Sequence, residues 1–187
     1  GEHYDARLEI GGWNQSGYQE KGWENAQVVR GAGGKLQAAE MQPVKVMQEI
    51  VPVSYYRTKE GNWIFDLGQK FAGKVRLTAY GPAGAEITLR YSEDLTGDGE
   101  HVEQRHISGF VRSGQFQTDR YVKKSNGPEE WTPCFVYHGF RYVEVEGLPE
   151  DLPDSCITGL VMHTSFERTG YFMCSDETLT AIQRLCL

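Results

Sequence analysis

The sequence predicts an all-β protein, an antiparallel β-sandwich of jelly-roll type followed by one short C-terminal helix. Three observations carry that prediction. Short runs rich in Val, Ile, Tyr and Phe alternate apolar and polar positions from Val44 to Thr164. Gly- and Pro-containing turns separate the runs, in a chain with 22 Gly and 7 Pro among 187 residues. No helical period develops between these runs, which removes βαβ architectures.

The elements follow in order. Residues 1–42 hold Trp13, Tyr18 and Trp23 among Gly11-Gly12, Ser16-Gly17 and "RGAGGKL", and sustain neither a helical nor an alternating period. They read as the tail of a preceding β-domain and a connector. Residues 43–168 read as the sandwich. Within it, "VKVMQEIVPVSYYRT" is strand-like and broken at Pro52, and "NWIFDL" follows a Glu60-Gly61 turn. "GKVRLTAYG" places Val75, Leu77 and Ala79 on one face; "AEITLRYSE" does the same with Ile87, Leu89 and Tyr91. The "GPAG" of residues 81–84 predicts a hairpin between those two strands. "GQFQTDRYV", "CFVYHGFRYVEVEG" and "CITGLVMHT" supply the remaining strands. Residues 169–187 read as a linker and a truncated helix with Ser175 as N-cap and an apolar stripe of Leu179, Ile182, Leu185 and Cys186.

Composition excludes several functions. With 26 acidic against 19 basic residues, a formal charge of −7, the chain lacks the basic face of a nucleic-acid binder. No apolar run approaches the ~20 residues that cross a bilayer. Cys134, Cys156, Cys174 and Cys186 form no CxxC pair, so a structural zinc site is not expected and the four read as buried free thiols. Neither a GxSxG nor a GxxxxGK[ST] motif occurs, and "GAGG" at 31–34 is linker.

"CFVYHGFRYVEVEG" is the densest chemical stretch. Alternation sets Glu144 and Glu146 on one strand face opposite Val143 and Val145. Acid–base catalysis by carboxyl groups would need such a pair, yet two glutamates on the polar side of a half-buried strand read as solvated. With the valines inward, strict alternation sends Arg141 inward and Phe140 and Tyr142 outward, and Gly139 is the natural place for a bulge. An unpaired buried arginine is costly, so Arg141 should pair with Asp66 or Asp119, which read as structural polar residues, while His138 reads as a hydrogen-bonded core residue. The stretch is chiefly a structural wall. As contributors to a sugar surface the candidates are Trp63, Trp131, Tyr137, His138 and Arg141, with Trp13, Tyr18 and Trp23 as further aromatic platforms. In "SEDLTGDGE", Glu93, Asp94, Asp98 and Glu100 crowd one Gly-containing loop; calcium takes ~6–8 oxygen ligands from such loops. The spacing is not that of an EF-hand, so the loop reads as a charged hairpin turn, and no cofactor is expected.

Taken in order, "GEHYDARLE" (1–9), "FDLGQKFAGKVRL" (65–77), "YSEDL" (91–95), "TDRYV" (118–122), "FVYHGFRYVEVEG" (135–147) and "GYFMCSDETL" (170–179) resemble the non-catalytic β-region of bacterial α-L-rhamnosidases of glycoside hydrolase family 78. Lys70 departs from the family, which more often carries Asn there. The resemblance implies β-domains leading into an (α/α)6 barrel that bears the catalytic carboxylates. Residues 1–9 would then close an N-terminal β-domain, residues 43–168 would be a concanavalin-like domain, and the C-terminal helix would be the barrel's first. It further implies a periplasmic or secreted parent enzyme that hydrolyses terminal α-L-rhamnosyl linkages with inversion, and a region inactive alone. The implied partners are the helical and N-terminal domains of the same polypeptide and rhamnose-containing glycans. The alternative is a carbohydrate-binding module with its own rhamnose site, assisted by calcium at the 93–100 loop.

Overall fold

Alternation in the sequence becomes burial in the structure. Val75, Leu77 and Ala79 are fully buried, and so are Ile87, Leu89 and Tyr91. The computed structural model describes residues 1–19, 22–105, 108–111, 115–152 and 156–186. Its strands are β1 (His3–Asp5), β2 (Val44–Ile50), β3 (Ser54–Arg57), β4 (Trp63–Ala79), β5 (Glu86–Ser92), β6 (Thr118–Val122), β7 (Glu129–Trp131), β8 (His138–Glu146) and β9 (Ile157–Thr164), followed by helix α1 (Glu177–Leu185).

The strands run in the order β1-β6-β5-β8-β4-β9-β2, with β3 and β7 also paired to β4. The long β4 belongs to both layers of the sandwich. Its first residues, Trp63 to Asp66, lie between β3 and β8, whereas Gly73 to Leu77 pair with β9 and Leu77 to Ala79 with β7. Gly73 marks the crossing, because it pairs with His138 of β8 and Val161 of β9 at once. A Cβ at that position would sit 2.0 Å from the Leu160 carbonyl oxygen, so only glycine lets three backbones meet there. Phe65, Leu67, Val75, Leu77, Leu89, Phe140, Val143, Val145 and Ile157 fill the space between the layers.

The structure corrects the sequence reading in four places. β4 and β5 do not form a hairpin: β8 lies between them, so residues 81–84 lead from one layer to the other. Alternation fixes which face of a strand is buried but not which strand lies beside it. The pairing is also not wholly antiparallel, since β1 runs parallel to β6. That short strand joins the sandwich through side chains rather than length: Tyr4 stacks on Tyr121 at 6.1 Å, and Ala6 is buried in the core. The cap of α1 is Asp176 rather than Ser175, because its carboxylate accepts from the Thr178 and Leu179 amides at 2.9 and 3.2 Å. Finally, the four cysteines are free, but only Cys156 is buried; Cys134, Cys174 and Cys186 are exposed. Burial pushes the Cys156 thiol up to about 12.

Candidate functional site

The chemistry-rich stretch forms β8, and its alternation slips where the sequence did not mark it. His138 and Phe140 are buried, and so are Val143 and Val145. The slip therefore lies at Arg141–Tyr142 and not at Gly139. Its cause is in β4: pairing jumps from Asp66↔Tyr142 to Phe71↔Phe140, so that residues 67–70 stand opposite Arg141 alone. Phe140 consequently faces inward, contrary to strict alternation, between Phe71 at 4.6 Å and Tyr91 at 4.9 Å. Arg141 turns to Asp66, donating from Nε and Nη2 to the two carboxylate oxygens at 2.8 Å each. With the Gly68 amide as a further donor at 2.7 Å, this holds the Asp66 carboxyl below the usual range, Arg141 being the larger cause.

Asp119 serves a different partner. His138 Nε2 donates to Asp119 Oδ2 at 3.0 Å, the Glu2 amide donates to Oδ1 at 2.7 Å, and the imidazole stacks on the Tyr91 ring at 4.4 Å. Of the candidate sugar platforms, Trp131 offers no open face: it is buried, stacked on Tyr121 at 5.1 Å and approached by Tyr4 at 6.2 Å. Trp63 is half-buried, donates from its indole nitrogen to the Pro149 carbonyl at 3.1 Å, and is flanked by Tyr55 and Phe65. Tyr137, by contrast, is 65% exposed. Trp13 and Trp23 contact one another on the surface, with ring centroids 6.4 Å apart beside Leu8 and Ile10.

The acidic loop does not converge on a cation. Lys70 lies 3.4 Å from Glu93 and 3.2 Å from Asp94. Asp98 accepts from the Thr96 hydroxyl at 2.6 Å and the Glu100 amide at 3.2 Å, and Glu100 accepts from the Lys59 amide at 2.8 Å. Glu93 and Asp94 thus share Lys70, while Asp98 and Glu100 turn to donors of their own. Among the described residues no three His, Cys, Asp or Glu side chains gather as a metal site. The calcium arrangement of Glu93, Asp94 and Asp98 considered from the sequence is therefore not formed.

The loop has another consequence that the sequence does not announce. It folds across the outer face of β8 and covers Glu144, which is only 2% exposed, while Glu146 stays open. Glu144 accepts from the Val102 amide at 3.0 Å, from Asn62 Nδ2 at 2.9 Å and from His101 Nδ1 at 3.2 Å, with Arg90 at 3.7 Å. Both of its oxygens accept from fixed donors and the group is nearly closed to solvent, which holds it as an acceptor within the fold. The expectation that both glutamates are solvated holds for Glu146 only. Period-two alternation assigned the face correctly but gave no sign of the loop above it. Glu144 in turn raises the His101 imidazole above its ordinary value through the hydrogen bond they share. These groups line a cleft of about 390 Å³ together with Glu60 and Gln104.

Comparison with known proteins agrees with this architecture. Residues 56–163 match the family described as the bacterial alpha-L-rhamnosidase concanavalin-like domain, and residues 1–48 match the alpha-L-rhamnosidase N-terminal domain. An alpha-L-rhamnosidase of Formosa agariphila is 30% identical over 185 residues, which is 99% of this chain and 19% of the relative. The solved alpha-L-rhamnosidase of Dictyoglumus thermophilum superposes with a TM-score of 0.84 at 34% identity, covering 96% of this chain and 20% of that one. That of Streptomyces avermitilis, solved with L-rhamnose, gives 0.74 at 38% identity over 87% of this chain and 15% of that one. The chain thus spans about a fifth of the length of the relatives it matches.

Proposed function

From a chain that belongs to the family of the bacterial alpha-L-rhamnosidase concanavalin-like domain, we propose a non-catalytic β-sandwich that braces the catalytic helical domain of an α-L-rhamnosidase. The observation that carries this reading is the uncovered apolar surface at the C-terminal end. Helix α1 buries none of its residues, and Leu179, Ile182 and Leu185 stand exposed beside Phe166, Tyr171, Phe172 and Met173. A nine-residue helix is marginal in water unless its apolar stripe packs on something, and exposed apolar area of this kind marks an interaction surface. In this reading the stripe docks on the helical domain, the N-terminal β-domain adjoins residues 1–9, and the intact enzyme removes terminal α-L-rhamnosyl groups from rhamnose-containing glycans with inversion. The enzyme works in the periplasm or outside the cell, which activity measurements on cell fractions would test.

Among the described residues the two carboxylates weighed for catalysis are engaged within the fold. Glu144 is buried and accepts from Val102, Asn62 and His101, and Asp66 is committed to Arg141 and the Gly68 amide. Incubation with p-nitrophenyl α-L-rhamnopyranoside should release no nitrophenol above background, and turnover that survives purification would overturn the reading. In an intact α-L-rhamnosidase carrying this region, Leu179→Asp with Ile182→Asp should lower the melting temperature and reduce activity. Unchanged values for both would remove the bracing role.

A further inference from the structure

A second feature lies at the opposite end of β8 from the Glu144 cleft. A cavity of about 520 Å³ is lined by Phe116, Gln117, Phe135, Tyr137 and His138 among others. The rings of Phe135 and Tyr137 are 91% and 65% exposed beside it. Surface aromatics cost solvation without packing in return, and two at the mouth of one cavity form a stacking platform.

The wall behind those rings is held in place by hydrogen bonds. The Glu2 carboxylate accepts from the Cys134 and Phe135 amides at 2.8 Å each, fixing the loop that carries Phe135. The Gln117 side chain accepts from the Gly139 amide at 2.9 Å and donates to the Gly139 carbonyl at 3.2 Å. Gln117 also has φ of 39°, and it is the one non-glycine residue with a positive value among those described. Such backbone strain in a non-glycine residue persists where the surroundings enforce it, and it concentrates at sites that bind.

At the floor sits His138, 7% exposed. His138 Nε2 donates to Asp119 Oδ2 at 3.0 Å, and a ring with its single proton on Nε2 presents a lone pair at Nδ1. Among the described residues nothing donates to that nitrogen. A buried imidazole with one nitrogen anchored and the other unused is an acceptor for a hydroxyl group. Among the described residues the cavity is lined by no Asp, Glu, Lys or Arg side chain, and the terminal residue Gly1 also borders it.

We propose that this cavity binds a neutral sugar residue, its apolar C–H face against Phe135 and Tyr137 and one hydroxyl donated to His138 Nδ1. Fixed rings and a fixed acceptor keep the entropy lost on binding low. The choice of L-rhamnose as probe rests on the family assignment; the site itself does not. Titration of the 187-residue chain with L-rhamnose, followed by amide chemical shifts, should show saturable changes at Tyr137 and Gly139 with millimolar affinity. Phe135→Ala and Tyr137→Ala should each weaken binding about tenfold without moving the melting temperature, because neither ring is in the core. Absence of saturation at about 50 mM, a Kd that ignores both ring deletions, or shifts centred on Trp13 and Trp23 would each overturn the proposal. Such a failure would leave the bracing role intact, because that role is decided by stability and turnover rather than by this titration.

Discussion

Replacing Glu144 by Gln separates a solvated strand-face glutamate from a buried latch. The substitution conserves shape but leaves one carbonyl oxygen where two carboxylate oxygens accepted. If that oxygen keeps Asn62 and His101, the new amide group confronts the Val102 N–H, a buried donor that loses its acceptor. A buried donor left unsatisfied costs about 1–3 kcal/mol, and a hydrogen bond to a charged group contributes about 1.5–3 kcal/mol. Asn62 and His101 are partly open to water and recover some of their loss. The balance is a destabilisation of about 2–3 kcal/mol. For a chain of this length that corresponds to a fall of about 4–12 °C in melting temperature. Urea denaturation should show the loss as a lower midpoint with an unchanged slope, and hydrogen exchange should quicken at the Val102 amide. Glu146→Gln is the control: its carboxylate is exposed, paired with Arg90 at 2.7 Å, and should cost under about 0.5 kcal/mol. Equal, small effects for both substitutions would refute the argument that the loop buries Glu144 and uses it as an acceptor.

Three further outcomes follow from the same contacts. Glu144 raises the His101 pKa above the ordinary value of about 6.5, so the stabilisation from protonated His101 is fully present below about pH 6.5 and fades as pH rises through the folded value. Melting temperatures across pH 5 to 9 should show that fall in the parent and lose that contribution in His101→Gln; identical profiles would refute the coupling. A thiol reagent at neutral pH should label Cys134, Cys174 and Cys186 in the native chain and reach Cys156 only after unfolding, as peptide mass spectrometry would read. Lys123, fully buried, donates to the Ala79 and Gly127 carbonyls at 2.9 and 2.7 Å and lies 3.7 Å from Glu129. Lys123→Met strands those acceptors and should cost about 2–4 kcal/mol, whereas a change below about 0.5 kcal/mol in urea denaturation would show that they find water instead.

What the sequence by itself determined is local. Period-two alternation identified the buried faces of β4 and β5, since a side chain's face depends only on the parity of its position. Turn residues marked most strand ends, and the spacing of Leu179, Ile182 and Leu185 marked the helix. The resemblance carried by "FDLGQKFAGKVRL" and "FVYHGFRYVEVEG" reached the family that the comparisons show. What the tertiary structure decided is everything that depends on the neighbour of a face. Glu144 and Glu146 are indistinguishable by parity, yet one lies under a loop contributed by a segment some forty positions earlier. Trp131 looks like a sugar platform until Tyr4, from the far end of the chain, packs beside it. Phe140 turns inward because β4 carries surplus residues opposite Arg141, and no feature of β8 itself records that. His138 acquires one anchored and one unused nitrogen only when Asp119 arrives from β6. Local sequence sets the direction a side chain points, through backbone stereochemistry. Contacts between residues distant in sequence set what it meets there, because they depend on how the whole chain closes.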